Sequence, residues 1–368
     1  MLDFLKQMVE IETPSRDKLA QEEIFELLIK EFEDLNQYQI RIRGEETGGF
    51  LYSRPTSKSG YKDVQLLVGH CDTVWAIDTL QKMPIRQLNG KAMGPGIYDM
   101  KAGITQIIFA LKTIKALNLR PSALPVVLIN SDEEIGSFES TSAIKRLSRI
   151  SKRAFIMEPP LGTEGKLKTE RKGVGRFTII VKGRAAHAGL DPGKGINAIV
   201  ELSHQVQKLY AMNDFENGVS VNVGMIEGGY SPNVVAPQSK AVIDVRVKNN
   251  EDGEVIADKI YQLKPHFDDV ELIIKGGMGR PPMERTPRNQ LLWAQAEANG
   301  KLIGIDLEQA SAGGGSDGNT TSLFTATLDG LGTVGDGAHA EHEYILTDTL
   351  IERTALLTLL LIDDIIET

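Results

Sequence analysis

Three continuous runs of apolar and β-branched residues constrain the fold of this chain more than any other feature. They are VQLLVG at 64–69, VVLIN at 126–130 and AFIME at 154–158. Runs without polar alternation are typical of strands that are buried on both faces, as in a parallel sheet. Because amphipathic stretches such as 104–117 lie between the runs, the sequence predicts an α/β domain with a parallel-type sheet.

The middle of the chain has a different pattern. Strand-like and helix-like segments follow one another there in the order β-α-β-β-α-β, from FTIIVKG at 177–183 to VELIIKGG at 270–277. This order is typical of a ferredoxin-like α+β unit. We therefore predict one α/β domain formed by residues 1–171 and 282–368, with a second domain, residues 172–281, inserted into it.

Charge and cysteine content exclude several classes of protein. The chain has 41 Lys and Arg against 50 Asp and Glu, a net charge of −9, which argues against nucleic acid or an anionic membrane as a partner. A single cysteine excludes an intrachain disulfide scaffold. Because no signal-peptide pattern is visible and the apolar run at 356–362 is too short to span a bilayer, we expect a cytoplasmic protein.

Acidic and histidine residues follow the predicted strands, at the edge where α/β sheets place their functional sites. The candidates are His70 and Asp72, Asp99, Glu133 and Glu134, Glu158, and, far downstream, His339 and His342. A single polar residue at a strand end is usually a surface group. Several such groups, each after an apparent strand, favour a shared site, although the spacing alone leaves both interpretations open.

A dinuclear metal site is the chemical interpretation of these residues. Two divalent ions about 3.5–4 Å apart need a bridging carboxylate and terminal His or carboxylate ligands. Asp99 is the natural bridge, with His70 and Glu158 on one ion and Glu134 and His339 on the other. Imidazole and carboxylate ligands suit zinc, and Co²⁺ or Mn²⁺ can substitute.

Two further carboxylates have roles beside the ligands in this hypothesis. Asp72, two residues after His70, can accept the ring N–H of that histidine and fix its tautomer. Glu133 is adjacent to a ligand without being one, so it can take a proton from water activated by the metals and pass it to a leaving amine.

A set of short motifs resembles the di-zinc exopeptidase and aminoacylase family. In chain order they are GHCDTV, YDMKAG, SDEEIGS, MEPP, KGRAAHAG and HAEHEY. The Glu after AFIM, together with NVVAP, DVRV, the GRP at 279–281 and the GGGSDGN loop, is most similar to the bacterial glutamate carboxypeptidases of that family. The resemblance implies a metal-binding α/β catalytic domain with an inserted ferredoxin-like domain that serves as lid and dimerisation surface.

The resemblance also implies a site, carried over residue by residue. One of two zinc ions per subunit would be held by His70, Asp99 and Glu158, and the other by Asp99, Glu134 and His339. Glu133 would be the general base and acid, and Asp72 would orient His70. In the family the ligand histidine lies four residues before a Glu, so Glu343 favours His339 over His342.

Four residues of the inserted domain are implied to act on the substrate. His187, in AAHAG, would stabilise the oxyanion from the neighbouring subunit of a homodimer. Asn233 and Arg280 resemble substrate-contacting positions, and the fork of an arginine suits a free carboxylate. Arg246 has either a similar role or a structural one. The GGGSDGN loop at 313–319 either presents N–H groups to an anion or is a plain flexible loop.

The resemblance thus implies an exopeptidase that hydrolyses the amide bond next to a free carboxylate, with glutamate as the preferred end residue. Its substrate would be a small peptide or an N-acyl amino acid. A dipeptidase or an N-acyl-amino-acid deacylase is the alternative in the same reaction class. A non-catalytic relative that keeps the metals is the alternative in another class, and the presence of Glu133 argues against it.

Overall fold

The structure, a computed structural model, describes residues 1–365 and contains two compact units. The first unit comprises Met1–Thr169, Arg285–Ala312 and the chain from Ser316 onward. The second unit comprises Glu170–Glu284 together with Gly313–Gly315. The predicted inserted domain, 172–281, lies inside the bounds of the second unit.

Helices and strands alternate along the described residues. The helices are α1 (Leu2–Glu10), α2 (Glu22–Asp34), α3 (Thr79–Lys82), α4 (Ala102–Ala116), α5 (Thr141–Ile150), α6 (Ala198–Tyr210), α7 (Asn250–Tyr261), α8 (Pro287–Leu302), α9 (Asp317–Thr321) and α10 (Thr347–Ile362). The strands are β1 (Gln37–Ile42), β2 (Phe50–Pro55), β3 (Val64–His70), β4 (Arg86–Leu88), β5 (Lys91–Met93), β6 (Leu124–Asn130), β7 (Arg153–Ile156), β8 (Leu167–Arg171), β9 (Gly173–Lys182), β10 (Ser220–Gly228), β11 (Gln238–Val247), β12 (Glu271–Arg280), β13 (Gln309–Ala312), β14 (Ala326–Leu328), β15 (Gly335–Asp336) and β16 (Tyr344–Leu346).

A six-stranded sheet forms the centre of the first unit. Its strand order is β1-β2-β6-β3-β7-β14, and the four strands from β6 to β14 are parallel. The α/β prediction is therefore confirmed. The strands β1 and β2 add an antiparallel edge that the apolar runs did not predict, since β1 alternates exposed and half-buried residues.

The register of the parallel strands determines which residues meet at the edge of the sheet. His70, the last residue of β3, lies opposite Asn130, the last residue of β6. On the other side of β3, Val68 lies opposite Ile156. Residues that follow β6 and β7 therefore emerge beside His70.

The helix α4 packs against this sheet and is less amphipathic than the sequence indicated. Ile104, Ile107 and Ile108 are fully buried, and most of the other side chains of the helix are buried as well. The outward side of α4 is covered by α10 and α1, so both sides of the helix lie in the core. Because other helices cover its outward side, α4 does not need the polar face of a surface helix.

The second unit is a four-stranded antiparallel sheet with two helices. Its strand order is β10-β11-β9-β12, and its chain order, β9-α6-β10-β11-α7-β12, is the ferredoxin-like order that the sequence predicts. Alternate residues of β9, Phe177, Ile179 and Val181, are fully buried in its core. The side chain of Asn197 accepts the N–H groups of Ile199 and Val200 and so begins α6.

Within residues 1–365, every helix is too short or too polar to cross a bilayer.

Candidate metal centre

Strand ends and tight turns bring the candidate ligands together in the first unit. His70 ends β3, and Glu158 lies two residues beyond the end of β7. Asp99 lies in a single wide turn, Ile97–Lys101, directly before α4. Glu134 lies in a one-turn 3₁₀ helix, Glu133–Ile135, shortly after β6. His339 follows β15, with a φ of 60°.

His70 contacts two carboxylates on one side of this group. Its Nε2 atom lies 3.2 Å from Oδ1 of Asp99 and 3.6 Å from Oε1 of Glu158. The side chain of His70 is only 1% exposed, so these contacts occur away from bulk solvent. The three residues form the first predicted ligand set.

His339 contacts the second predicted set. Its Nε2 atom lies 3.4 Å from Oδ2 of Asp99 and 3.1 Å from Oε2 of Glu134. The two oxygens of Asp99 therefore face different histidines, as a carboxylate that bridges two cations must. Among residues 1–365, no such contact involves His342, the alternative that sequence analysis set aside.

Glu133 lies in the same group. One ligand atom each of His70, Glu133 and Glu158 lie within 4.8 Å of one another, and the same holds for His70, Asp99 and Glu134. The carboxylate of Glu133 is thus within reach of the ligand atoms of the His70 side while its backbone neighbour, Glu134, faces His339.

The hydrogen bonds of the group favour positive charge on its two histidines and negative charge on Asp99. Burial opposes the charged form of His70, but hydrogen bonds to Asp72 and Asp99 outweigh it and raise its pKa well above the usual value. Hydrogen bonds to Asp99 and Glu134 raise the pKa of His339 to about 10. Burial opposes ionisation of Asp99, yet hydrogen bonds from His339 and His70 hold its pKa below its ordinary range.

Glu134 is a carboxylate of the group whose charged form is opposed by burial. Burial raises the pKa of Glu134 to about 7, against the opposing effect of the hydrogen bond from His339. The group therefore concentrates acidic oxygens and imidazole nitrogens around Asp99, and these donors are those of dinuclear sites for divalent cations. The residues present fit such a centre.

Asp72 contacts more groups of the site than just His70, the one partner that sequence analysis predicted for it. Its backbone oxygen lies 3.0 Å from Nδ1 of His70, and its Oδ1 atom lies 3.4 Å from the same nitrogen. Its carboxylate also accepts the backbone N–H groups of Glu133 and Glu134, each at 3.2 Å, and the hydroxyl of Ser15 at 2.7 Å. Asp72 thus orients both His70 and the turn that carries the two glutamates.

Glu343 is a residue whose role sequence analysis missed. It is 1% exposed, and its carboxylate accepts the N–H groups of Gly96, Tyr98 and Asp99 at 2.8, 2.9 and 3.1 Å. It also accepts the indole N–H of Trp75 at 3.0 Å. Burial raises the pKa of Glu343, although these donors favour the ionised form. The only sequence signal was its spacing from His339.

The four candidate substrate residues all lie in the second unit. His187 pairs with Val234, and the N–H of Ala188 donates to the oxygen of Asn233, so the segments of His187 and Asn233 are brought together. Arg280 ends β12. Arg246 forms a two-point ion pair with Asp244 on the same strand, at 2.8 and 3.0 Å.

The hydrogen bonds of His187 determine its tautomer. The side chain is exposed, and its Nδ1 atom accepts the N–H groups of Gly189 and Leu190, both at 3.1 Å. The neutral ring therefore carries its proton on Nε2, which is a hydrogen-bond donor directed away from its own loop.

Imidazoles and carboxylates that cluster at the carboxyl edge of an α/β sheet are typical of metal-dependent hydrolases. The profile of the M20 peptidase dimerisation domain matches residues 169–264. The chain is 29% identical to carboxypeptidase G2 from Pseudomonas sp. (strain RS-16) over 372 residues, which cover 99% of this chain and 89% of that protein. It is 27% identical to the succinyl-diaminopimelate desuccinylase of Dechloromonas aromatica over 281 residues, 73% of this chain and 74% of that protein.

Solved structures have the same fold. Aminopeptidase PepT from Bacillus cereus ATCC 10987 superposes with a TM-score of 0.82 at 21% identity, over 98% of this chain and 96% of that one. The chain thus contains an M20 peptidase dimerisation domain, is similar to exopeptidases and amidohydrolases over most of its length, and is a metal-dependent exopeptidase or amidohydrolase.

Proposed function

We propose that the chain is a di-zinc exopeptidase that removes a C-terminal residue, with glutamate as the preferred residue, by hydrolysing the amide bond next to its free carboxylate. The main observation in support is that the two carboxylate oxygens of Asp99 lie against two different histidines. They are 3.2 Å from Nε2 of His70 and 3.4 Å from Nε2 of His339. The similarity to carboxypeptidase G2 supports the choice of reaction.

Two metal ions fit the ligand sets around Asp99. His70, Asp99 and Glu158 would hold one ion, and Asp99, Glu134 and His339 the other. Bound zinc supplies Lewis-acid chemistry, which polarises the scissile carbonyl and acidifies water. Zinc is preferred to Co²⁺ or Mn²⁺ because the set combines two imidazoles with carboxylates.

Glu133 moves the proton in this mechanism. It takes a proton from the attacking water as the new C–O bond forms, and gives that proton to the amine nitrogen as the C–N bond breaks. Asp72 supports this step because it holds the N–H groups of Glu133 and Glu134. The carboxylate of Glu133 is within 4.8 Å of the ligand atoms of His70 and Glu158, so it lies beside the reacting centre.

Residues of the second unit are proposed to bind the substrate. The Nε2–H of His187 from the neighbouring subunit of a homodimer would donate to the oxyanion that forms at the scissile carbonyl, and its tautomer is the one this role requires. Arg280 binds the free carboxylate through two N–H groups, and Asn233 contacts the substrate beside it. Arg246 is assigned a structural role through Asp244.

The test combines one substitution with metal removal. We expect Glu133→Gln to keep both metals and to lower the rate on an N-acylated glutamate or a glutamate-terminated dipeptide by about 10³-fold, because the shuttle carboxylate is gone. Chelation abolishes the rate, and added zinc restores it. Glu26→Gln, an exposed site on α2, is the control and keeps full activity. A Glu133→Gln rate near that of the unmodified protein would refute the mechanism.

An N-acyl-amino-acid deacylase is the second candidate. The observation that favours it is the similarity to succinyl-diaminopimelate desuccinylases, which covers 73% of this chain. The same metals and the same glutamate serve both reactions, so the difference lies in the acyl side of the substrate. Parallel assays on N-succinyl, N-acetyl and dipeptide substrates with a common end residue separate the two.

We also propose a cytoplasmic homodimer formed through the second unit. The strand β10 is an edge strand, and Met225 and Ile226 on it are 57% and 58% exposed. Ile199 and Val200 of α6 are also exposed. An exposed apolar edge of this kind is suited to pairing with a second copy. Sedimentation that shows only monomer at micromolar concentration would contradict the dimer.

A further inference from the structure

The turn that carries Glu133 and Glu134 has an unusual backbone. Gly136 has a φ of 109° and Ser137 a φ of 56°, so two consecutive residues lie in the left-handed region. A residue other than glycine keeps such a conformation when its surroundings fix it. The contacts of Ser137 must therefore hold its backbone in this conformation.

Backbone and side-chain hydrogen bonds hold Ser137. Its N–H donates to the oxygen of Asp132 at 2.7 Å, and its own oxygen accepts the N–H of Thr141 at 2.8 Å and the hydroxyl of Thr141 at 2.5 Å. Its hydroxyl donates to Oδ1 of Asp317 at 2.5 Å. The bonds to Asp132 and Thr141 are local to the turn, whereas the bond to Asp317 reaches a distant part of the chain.

Asp317 connects this turn to the central sheet. The residue is 3% exposed and begins the short helix α9. Its second oxygen, Oδ2, accepts Nδ2 of Asn130 at 2.7 Å. Asn130 ends β6 and lies opposite His70 in the register of the sheet. One carboxylate therefore ties the glutamate turn to the strand end beside a candidate ligand.

We propose that Asp317 is a positioning residue: through Ser137 it fixes the turn that presents Glu134 to the metals and Glu133 to the substrate. Asp72 holds the N-terminal end of the same turn through the N–H groups of Glu133 and Glu134. Asp317 holds its C-terminal end. The inference rests on the proposed function for its kinetic consequences, but its consequences for metal binding are independent of any substrate.

The alternative is that Asp317 only stabilises the start of α9. A second buried carboxylate serves that purpose, because Asp329 accepts the hydroxyl of Ser316, the capping residue of α9, at 2.6 Å. Asp329→Asn is therefore a matched control that loosens the helix start and leaves the link to Ser137 in place.

The main test compares Ser137→Ala with Ser148→Ala. Ser148 is a fully buried serine on α5 whose hydroxyl bonds only to Ile144 of its own helix among the contacts described. We expect Ser137→Ala to weaken binding of one of the two zinc ions by about 10-fold and to lower kcat by about 10-fold at unchanged KM, as loss of an orienting group does. We expect Ser148→Ala to change neither.

Hydrogen exchange gives a measurement that requires neither metal nor substrate. In Ser137→Ala we expect faster exchange of the amides at 133–137, with unchanged exchange in β6. Asp317→Ala is expected to have the same effect at 133–137. Asp317→Asn keeps an oxygen for Asn130 and an amide that donates to the Ser137 hydroxyl, so it is expected to restore most of the metal affinity.

The outcomes distinguish a positioning role of Asp317 from a role confined to the start of α9. Wild-type zinc affinity and wild-type exchange at 133–137 in Ser137→Ala would overturn the positioning role, as would equal effects from Asp329→Asn. If Ser137→Ala fails to fold, Asp317→Ala against Asp329→Asn decides by the same measurements. If the unmodified protein hydrolyses no candidate substrate, the proposed function fails, while zinc affinity and exchange still decide on Asp317.

Discussion

The candidate metal centre has two halves, one around His70 and one around His339, and they differ in burial and in the backbone that carries them. His70 lies at the end of a central strand, and its side chain is 1% exposed. His339 lies in a loop with a left-handed backbone, and its side chain is 50% exposed. Both contact the same carboxylate, Asp99. The difference indicates that one half is set by the sheet, whereas the other is open to solvent and set by turns.

This asymmetry has a functional consequence. A buried, sheet-anchored half keeps its geometry while an open half admits solvent and substrate. We therefore expect the ion on the His339 side to exchange faster than the ion on the His70 side. The following predictions remove the shared carboxylate, then each half, and then one of its supports.

Asp99→Asn is expected to have the largest effect, because it removes the charge that both halves share. An amide offers one oxygen and cannot bridge two cations, so we expect loss of both metals. Activity should fall by about 10⁴-fold, equivalent to about 5.5 kcal/mol of barrier. Metal content by elemental analysis and the rate are the measurements.

The control for Asp99→Asn is Asp336→Asn, which changes an exposed aspartate three residues before His339. It should keep both metals and full activity. Two metals retained in Asp99→Asn would mean that the halves do not share this carboxylate.

His70→Asn and His339→Asn test the asymmetry itself. We expect His339→Asn to lose one metal and keep the other, with activity lower by about 10²-fold to 10³-fold. We expect His70→Asn to lose metal and also to lower the melting temperature, because Asp72 and Glu158 are buried and would lose their common partner.

The matched control is His342→Asn, an exposed histidine three residues from His339. It should retain two metals. Loss of a metal in His342→Asn, with retention in His339→Asn, would exchange the roles of the two histidines. Equal losses from His70→Asn and His339→Asn, with equal melting temperatures, would remove the distinction between a firm half and an open half.

The sequence predicted the parts of this arrangement that depend on local patterns. The apolar runs placed β3, β6 and β7 within a few residues, since strands buried on both faces have no polar alternation. The succession of strand-like and helix-like segments likewise predicted the β-α-β-β-α-β order of the second unit. The ligand candidates followed from the strand ends, because the carboxyl ends of parallel strands meet at one edge.

The supports of the site could not be predicted in this way. Glu343 accepts N–H groups of residues that lie about 245 positions earlier in the chain, and Asp317 reaches Ser137 across 180 positions. A hydrogen bond from a side chain to distant backbone leaves no periodic pattern in the sequence. The antiparallel edge formed by β1 and β2 was missed for a related reason, since its half-exposed strands lack the long apolar runs of the centre.

Glu343→Gln is expected to have the smallest effect of the three, because it alters only the support of Asp99. Its Oε1 atom accepts the N–H groups of Tyr98 and Asp99, and its Oε2 atom accepts those of Gly96 and Trp75. The amide of a glutamine replaces one of these acceptors with a donor, so two N–H groups lose their partner. Each buried N–H without a partner costs about 1–3 kcal/mol.

We expect this loss of support to lower the melting temperature and to reduce activity by about 10-fold, with both metals retained at saturating zinc. Glu341→Gln, an exposed site two residues away, is the control and should match the unmodified protein. Because Asp99 is shared, the loss in Glu343→Gln should affect both halves equally. If only the ion on the His339 side were bound more weakly, Glu343 would support the open half alone. The geometry of the His70 half would then depend on the sheet without help from Glu343.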